Sequence, residues 1–159
     1  MSNDRINDIG IYKANKKLTG SVAQFKMAGD RSCMFLELAK QTKPMDDSRP
    51  YDWEGTKICV KLGNADISKM LAFFYPQLMY YRATPEPLKL FHKNKRGSKS
   101  IELKWQEREW QGKKTYSYYL SVSSKEGDEL RKISCPIALD EVELLKIGFT
   151  RALEIILGW

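Results

Sequence analysis

The chain has few of the residues on which catalytic and metal sites are built. Its 159 residues include one histidine, His92, and three cysteines, Cys33, Cys59 and Cys135. The cysteines are widely spaced and form no Cys-x-x-Cys pair, so a zinc site would lack ligands. An odd number of scattered cysteines is typical of buried free thiols in a reducing compartment.

Common catalytic signatures are also missing. There is no Gly-x-Gly-x-x-Gly element, no Walker phosphate loop and no His-Glu-x-x-His element. With one histidine, a Cys–His nucleophile pair has little support. Asp46 and Asp47 stand together in a polar segment, where a solvated turn is the simpler interpretation. We therefore expect a protein without catalysis, metal or cofactor.

Long apolar runs are absent too. No segment approaches the roughly 18 apolar residues that span a bilayer. The first residues, Met-Ser-Asn-Asp-Arg, contain no signal-peptide core, and they are too short and acidic for an organelle transit peptide. We expect a cytoplasmic protein that has no membrane partner.

Acidic residues are in deficit. The chain has 27 Lys and Arg against 20 Asp and Glu, a formal net charge of +7. This balance favours polyanionic partners, nucleic acid first and an anionic membrane second. A merely soluble basic protein fits the charge equally well. A 42% hydrophobic content with four Trp, eight Tyr and six Phe indicates a folded core rather than general disorder.

Period-two alternation of apolar and polar residues predicts two sets of four strands. For example, Met34, Leu36 and Leu38 should share one face of a strand, with Phe35 on the other. The predicted strands are residues 9–13, 18–28, 33–40 and 56–62, then 88–93, 99–109, 115–123 and 131–139, with a hairpin turn at Gly112.

Each set of strands is followed by a stretch with helical spacing. Ile67, Met70, Leu71 and Phe74 predict the first helix, which Asn64 or Asp66 could cap. A second apolar stripe runs from Val142 to Trp159, and Asp140 with Glu143 resembles a capping pair at its start.

The predicted fold class is α+β, with two antiparallel four-stranded sheets that are each followed by a helix (ββββα repeated twice). The gaps between strands are too short for the crossover connections of a parallel sheet. We expect a flexible N-terminus at residues 1–8 and one domain over residues 9–159. Its halves are residues 9–79 and 86–159, and residues 80–87 form the linker between them.

Cations and aromatic rings occur on the strand faces opposite the predicted core. Lys57, Lys61, Lys104 and Arg108 should share these outer sides with Phe35, Trp110 and Tyr119. Lysines attract phosphates in a salt-dependent manner, and a base stacked on an aromatic ring contributes roughly 1–3 kcal/mol. The pattern predicts two open, positively charged β-surfaces for unpaired bases. A single strand lysine is ordinarily only solvated, and Trp110 could instead pack against Tyr119.

Four segments resemble the Whirly family. Residues 11–18 (Ile-Tyr-Lys-Ala-Asn-Lys-Lys-Leu) resemble its Lys-Gly-Lys-Ala-Ala-Leu element. Residues 51–53 (Tyr-Asp-Trp), followed by a basic strand and the helix start at residues 66–67, resemble its Tyr-Asp-Trp region. Residues 91–92 (Phe-His) and the end of the chain, from Pro136 to Leu-Gly-Trp at 157–159, match in the same order.

The resemblance implies single-stranded DNA binding with little sequence preference, assembly through helices and a role in transcription, recombination or genome maintenance. It places Lys13, Lys16 and Lys17 in a basic element of assembly and binding. A broader relationship links Whirly proteins to a transcription coactivator and to guide-RNA-binding proteins. Without a transit peptide, the chain resembles a bacterial or phage-type, nucleoid-associated member.

We therefore expect a sequence-tolerant single-stranded DNA-binding protein that acts in transcription regulation, recombination or replication as a homo-oligomer, a tetramer or a dimer. The alternatives are an RNA-binding protein on the same fold and a protein-interaction cofactor of transcription. The expected phosphate contacts are Lys13, Lys16, Lys17, Lys57, Lys61, Lys104 and Arg108, and the expected stacking residues are Phe35, Trp110 and Tyr119.

Overall fold

A computed structural model describes residues 7–74 and 86–159 of the chain. Most of the N-terminus predicted to be flexible, the end of the first half at residue 79 and most of the linker at residues 80–87 lie outside the described residues.

The first half is an antiparallel sheet in which consecutive strands are neighbours. Its strands are β1 (Ile9–Lys13), β2 (Ser21–Met27), β3 (Met34–Lys40) and β4 (Ile58–Leu62). A four-residue helix, α1 (Trp53–Thr56), precedes β4, and α2 (Asn64–Phe73) follows it. We call this sheet the first sheet.

The second half repeats the plan with longer strands. Its strands are β5 (Leu88–Asn94), β6 (Gly97–Trp110), β7 (Lys113–Glu126) and β8 (Glu129–Ile137), and α3 (Leu139–Leu157) follows them. Gln111 and Gly112 form the two-residue turn between β6 and β7, and both have positive φ (51° and 78°). Such a turn matches the twist of a hairpin. The predicted fold class and the turn at Gly112 are confirmed.

The core draws on one face of each sheet and on both longer helices. Met34, Leu36 and Leu38 are fully buried on β3, as their alternation predicts. The ring of Phe149 from α3 lies 5.3 Å from Phe25 of the first sheet and 6.1 Å from Phe74 after α2. These edge and tilted contacts join the helices to the first sheet.

Local capping differs from the prediction at α3. The helix begins after Ala138, whose N–H donates to Glu141 Oε1 at 2.9 Å. Asp140 and Glu143 therefore do not form the cap, because the helix starts earlier than expected. At α2, Asp66 Oδ2 accepts from the Gly63 N–H at 3.0 Å, as one of the two predicted caps. Among residues 7–74 and 86–159, none of the helices has the length and hydropathy of a transmembrane span.

Candidate nucleic-acid interface

The outer face of the second sheet carries most of the cations and rings that alternation predicts. The strand register places Lys104 opposite Tyr119 and Trp110 opposite Lys113. All side chains on this side point away from the buried row of Ile101, Leu103 and Leu120. We call this surface the sheet-2 face.

The sheet-2 face is strongly electropositive. Its one acid is Glu102, which lies 4.0 Å from Lys89 Nζ. Its seven cations come from all four strands: Lys89, Lys93, Lys104, Arg108, Lys113, Lys125 and Lys132. Because the surface holds so little opposing charge, its charge is complementary to that of a polyanion.

Three aromatic rings accompany these cations. Phe91 is 68% exposed on β5 and Trp110 is 76% exposed at the tip of the β6–β7 hairpin. Tyr119 lies half-buried in the middle, with Lys104 Nζ 5.3 Å from its ring centroid. The strand register pairs Trp110 with Lys113 and Tyr119 with Lys104, so the two rings lie far apart along the hairpin and the alternative that Trp110 packs against Tyr119 has no support. Exposed rings beside cations suit base stacking.

The first sheet offers only part of the surface that the sequence predicts. Phe35 lies between Lys26 and Lys61 in one cross-strand row of its outer face, and Lys57 is exposed just before β4. At the other end of this face, Val22 and Ala39 are fully buried beneath the segment that contains α1. The prediction of two open surfaces is therefore wrong for this end, because the chain covers it with a helix too short to show helical spacing.

The lysines of the basic element at residues 11–18 lie in two different environments. Lys16 and Lys17 are exposed in a turn in which Leu18 has a positive φ of 59°. Lys13 is half-buried instead, and its Nζ donates to Glu141 Oε1 at 2.5 Å. This ion pair ties β1 to the start of α3, so Lys13 holds the fold together rather than facing the solvent with its neighbours.

Gln41, which is 3% exposed, fixes the shape of this basic turn. Its Oε1 accepts from the N–H of Asn15 at 2.8 Å and of Gly20 at 3.1 Å. Its Nε2 donates to the carbonyls of Asn15 and Lys43, both at 2.9 Å. Four hydrogen bonds from one buried amide satisfy backbone groups on both sides of the turn. The turn therefore presents Lys16 and Lys17 from a rigid base.

A groove that sequence reasoning missed lies beside this turn. Its volume is about 1120 Å³, and it is lined by the rings of Tyr12, Tyr51 and Trp53 with the cations Lys43 and Arg49. The rings of Tyr12 and Tyr51 lie 6.1 Å apart, and burial raises the pKa of Tyr51. The Tyr-Asp-Trp segment was a sequence signal for this region. Lys43 and Arg49 lie in a loop whose sequence has neither strand nor helix periodicity, so no pattern indicated them.

The three cysteines are free thiols. Cys33 and Cys135 are buried, and Cys59 is half-buried. Burial raises the pKa of Cys135 to about 11 and also raises the pKa of Cys59. Raised pKa values keep thiols protonated at neutral pH. Across residues 7–74 and 86–159, no group of three or more His, Cys, Asp or Glu side chains could hold a metal ion.

Comparison with known proteins gives a match in structure alone. No family model matches the sequence, and no curated protein matches it. Solved structures match with a probability of 1.00 over nearly the whole chain. WHY3 from Arabidopsis thaliana has a TM-score of 0.66 at 15% identity, covering 98% of this chain and 90% of that one. The plant transcriptional regulator PBF-2 has a TM-score of 0.64 at 16% identity, covering 98% and 85%. The chain has a Whirly-like fold.

A guide-RNA-binding protein complex bound to a guide RNA shares the same architecture. It matches with a TM-score of 0.62 at 14% identity, covering 96% of this chain and 92% of that one. At such identities the likeness establishes the Whirly-like fold and leaves the binding residues to be argued from this chain. The sheet-2 face is the surface of this fold on which the predicted residues Lys104, Arg108, Trp110 and Tyr119 meet.

Proposed function

We propose that this chain binds single-stranded nucleic acid, foremost DNA, with little preference for sequence and without catalysis. The observation that carries the proposal is the sheet-2 face, where seven cations, one acid and three aromatic rings share one side of an antiparallel sheet. A sheet presents rings side by side, which suits the flat faces of unpaired bases.

The composition of the sheet-2 face explains tolerance of sequence. Lysine and arginine side chains neutralise phosphates, and every base has a π-face that can stack on a ring. The structural likeness adds support, since one neighbour is bound to a guide RNA and another is a transcriptional regulator. RNA is therefore the second candidate ligand, favoured by the guide-RNA complex.

The cellular role that we propose follows from this activity. A protein that coats unpaired strands acts in transcription regulation, recombination or replication, in contact with the genome in the cytoplasm or nucleoid. We further propose that it acts as a homo-oligomer, because Leu144 and Ile147 on α3 are 59% and 71% exposed. Several copies would extend the binding surface along one strand.

The salt dependence of binding tests the sheet-2 face. Replacing Lys104 and Arg108 together by Ala removes two phosphate contacts from its centre. The slope of log affinity against log salt should become shallower by about 1.4, since each single-strand phosphate contact contributes about 0.7. Fluorescence anisotropy of a labelled oligonucleotide over a salt series measures this change.

A matched control removes two cations elsewhere. Lys69 on α2 and Lys114, which pairs with Glu107 at 3.2 Å on the opposite side of the hairpin, are both exposed. Their joint replacement by Ala should leave the slope unchanged. Equal slopes for both double variants would contradict the proposed interface. Competition between DNA and RNA oligonucleotides of the same sequence then shows which of the two nucleic acids the protein prefers.

A further inference from the structure

A second concavity lies between the two sheets, next to β4, which is the edge strand of the first sheet. Its volume is about 320 Å³. One wall is β4 with Lys61, and the others are the β5–β6 hairpin and the end of β7. We call it the inter-sheet cleft. It opens on the inner side of the second sheet, so it is a different surface from the sheet-2 face.

The strand register builds the floor of the inter-sheet cleft from polar side chains. His92, Lys99 and Ser124 line the cleft and are successive partners in one cross-strand row, which continues to Arg131 beyond the lining. Lys99 Nζ donates to the Cys59 carbonyl at 2.5 Å, and Arg131 donates to the Lys57 carbonyl at 3.4 Å. These bonds attach the row to the open edge of β4. The cleft is thus held by both sheets.

Two polar atoms in the cleft have unused hydrogen-bonding capacity. Ser124 is 2% exposed, and its Oγ has no hydrogen-bond partner among the described residues. His92 Nε2 lies 3.2 Å from Asp66 Oδ2, but the two groups are not aligned for a hydrogen bond. Because buried hydroxyls are normally hydrogen-bonded, an unpartnered one in the wall of a cleft is an available donor for a ligand.

The charge of the cleft selects an anion. Lys61, Arg96 and Lys99 line it, against Glu126 as the one acid in the lining. Among the described residues neither Lys61 nor Arg96 has a carboxylate within ion-pair distance, but Lys61 lies near enough to Asp30 to interact electrostatically with that carboxylate. Both side chains are exposed. The excess of cations leaves the cleft positive, which favours a ligand with at least one negative charge.

We propose that the inter-sheet cleft binds a phosphate group. Phosphate offers several acceptor oxygens, which can receive charge-assisted bonds from Lys61, Arg96 and Lys99 and a bond from the Ser124 hydroxyl together. The group could belong to inorganic phosphate, to the end of a nucleic acid strand or to its backbone. The proposal goes beyond binding at the sheet-2 face and does not depend on it.

Thermal unfolding in inorganic phosphate tests the cleft directly. The Tm of the full chain should rise with phosphate concentration more than it does in chloride of equal ionic strength, because a ligand of the folded state stabilises it. Arg96→Gln, Lys61→Gln and Ser124→Ala should each weaken the apparent phosphate affinity about fivefold or more. Lys99 is left intact, since its ammonium group attaches the second sheet to β4.

The control is Lys95→Gln, which changes an exposed neighbour of Arg96 that does not line the cleft. It should keep the full phosphate response. Equal responses from Lys95→Gln and the three cleft variants, or a wild-type response no greater than in chloride, would overturn the proposal. A full phosphate response in a protein that binds no strand would instead support the cleft and reject the proposed function.

Oligonucleotides identify the source of the phosphate. If a 5′-phosphate strengthens binding to wild type and Arg96→Gln removes that gain, the cleft takes a strand end. If Arg96→Gln weakens phosphorylated and unphosphorylated strands alike, it takes a backbone phosphate. If only inorganic phosphate responds to the cleft variants, the ligand is the free ion. Each of these results supports a phosphate site.

Discussion

At the scale of single residues, Cys135 is a group whose acid–base chemistry the fold changes. The thiol is buried in the second sheet, and burial raises its pKa from 9.0 to about 11. Desolvation disfavours the charged thiolate, so the folded protein binds this proton more tightly than the unfolded chain does. The consequence is a stability that depends on pH in the alkaline range.

The free energy of unfolding should fall as the pH rises through this range. Below pH 9 the thiol is protonated in both states, and its contribution is fully present. Between pH 9 and 11 the unfolded chain loses the proton while the folded protein retains it, so the free energy of unfolding should fall by about 2 kcal/mol. Urea denaturation over this range measures the fall.

Cys135→Ala provides the comparison for this prediction. At neutral pH the variant is less stable than wild type, since it leaves a cavity, and it has no thiol to titrate in the alkaline range. The difference in the free energy of unfolding between wild type and variant should therefore narrow as the pH rises. Burial raises the pKa of Tyr118 to about 12, and this residue contributes equally to the alkaline loss of stability of both proteins. A difference that stays constant would show that this thiol does not titrate differently in the two states.

At the scale of elements, the strands were predictable because their signal is local. Alternation within a strand decides which side chains face the core, and it therefore also placed Lys104, Arg108, Trp110 and Tyr119 on one outer face. The four-residue helix α1 was not predictable, since it is too short to show a period. The bond between Lys13 and Glu141 joins residues 128 positions apart, and no local pattern carries that information.

At the tip of the β6–β7 hairpin, we expect one side chain to matter for strand binding and little for stability. Trp110 is 76% exposed at this tip, so Trp110→Ala should change the free energy of unfolding by about 0.5 kcal/mol or less. Affinity for a single-stranded oligonucleotide should nevertheless fall about tenfold, through the loss of one stacking platform. Anisotropy titration and urea denaturation of the same variant separate the two effects.

The control for this hairpin is an aromatic ring on its other face. Tyr116 is 43% exposed and stacks on Trp105 with ring centroids 5.5 Å apart. Tyr116→Ala should cost stability and leave strand affinity nearly unchanged. A Trp110→Ala variant that unfolds would show that the ring has a structural role. A variant that binds as tightly as wild type would show that the ring is not a stacking platform.

At the scale of the whole molecule, α3 and the end of the chain carry several exposed large apolar side chains. Leu144 and Ile147 are one helical turn apart and more than half exposed, and Trp159 is 87% exposed. The opposite side of the helix, with Leu145 and Phe149, is fully buried in the core. Exposed apolar side chains on the outer side of a packed helix commonly mark a contact with another subunit.

Replacing Leu144 and Ile147 together by Lys tests whether α3 forms the contact between subunits. Light scattering with size exclusion should show a smaller mass for the double variant than for wild type, because charged side chains cannot be buried in an apolar interface without a partner. The exposed positions should tolerate the change, so circular dichroism and Tm should stay close to wild type. Leu130→Lys, at a 68% exposed position on the sheet-2 face, should leave the mass unchanged. A wild-type protein of monomer mass would remove assembly from the proposal and confine strand binding to the surface of one chain.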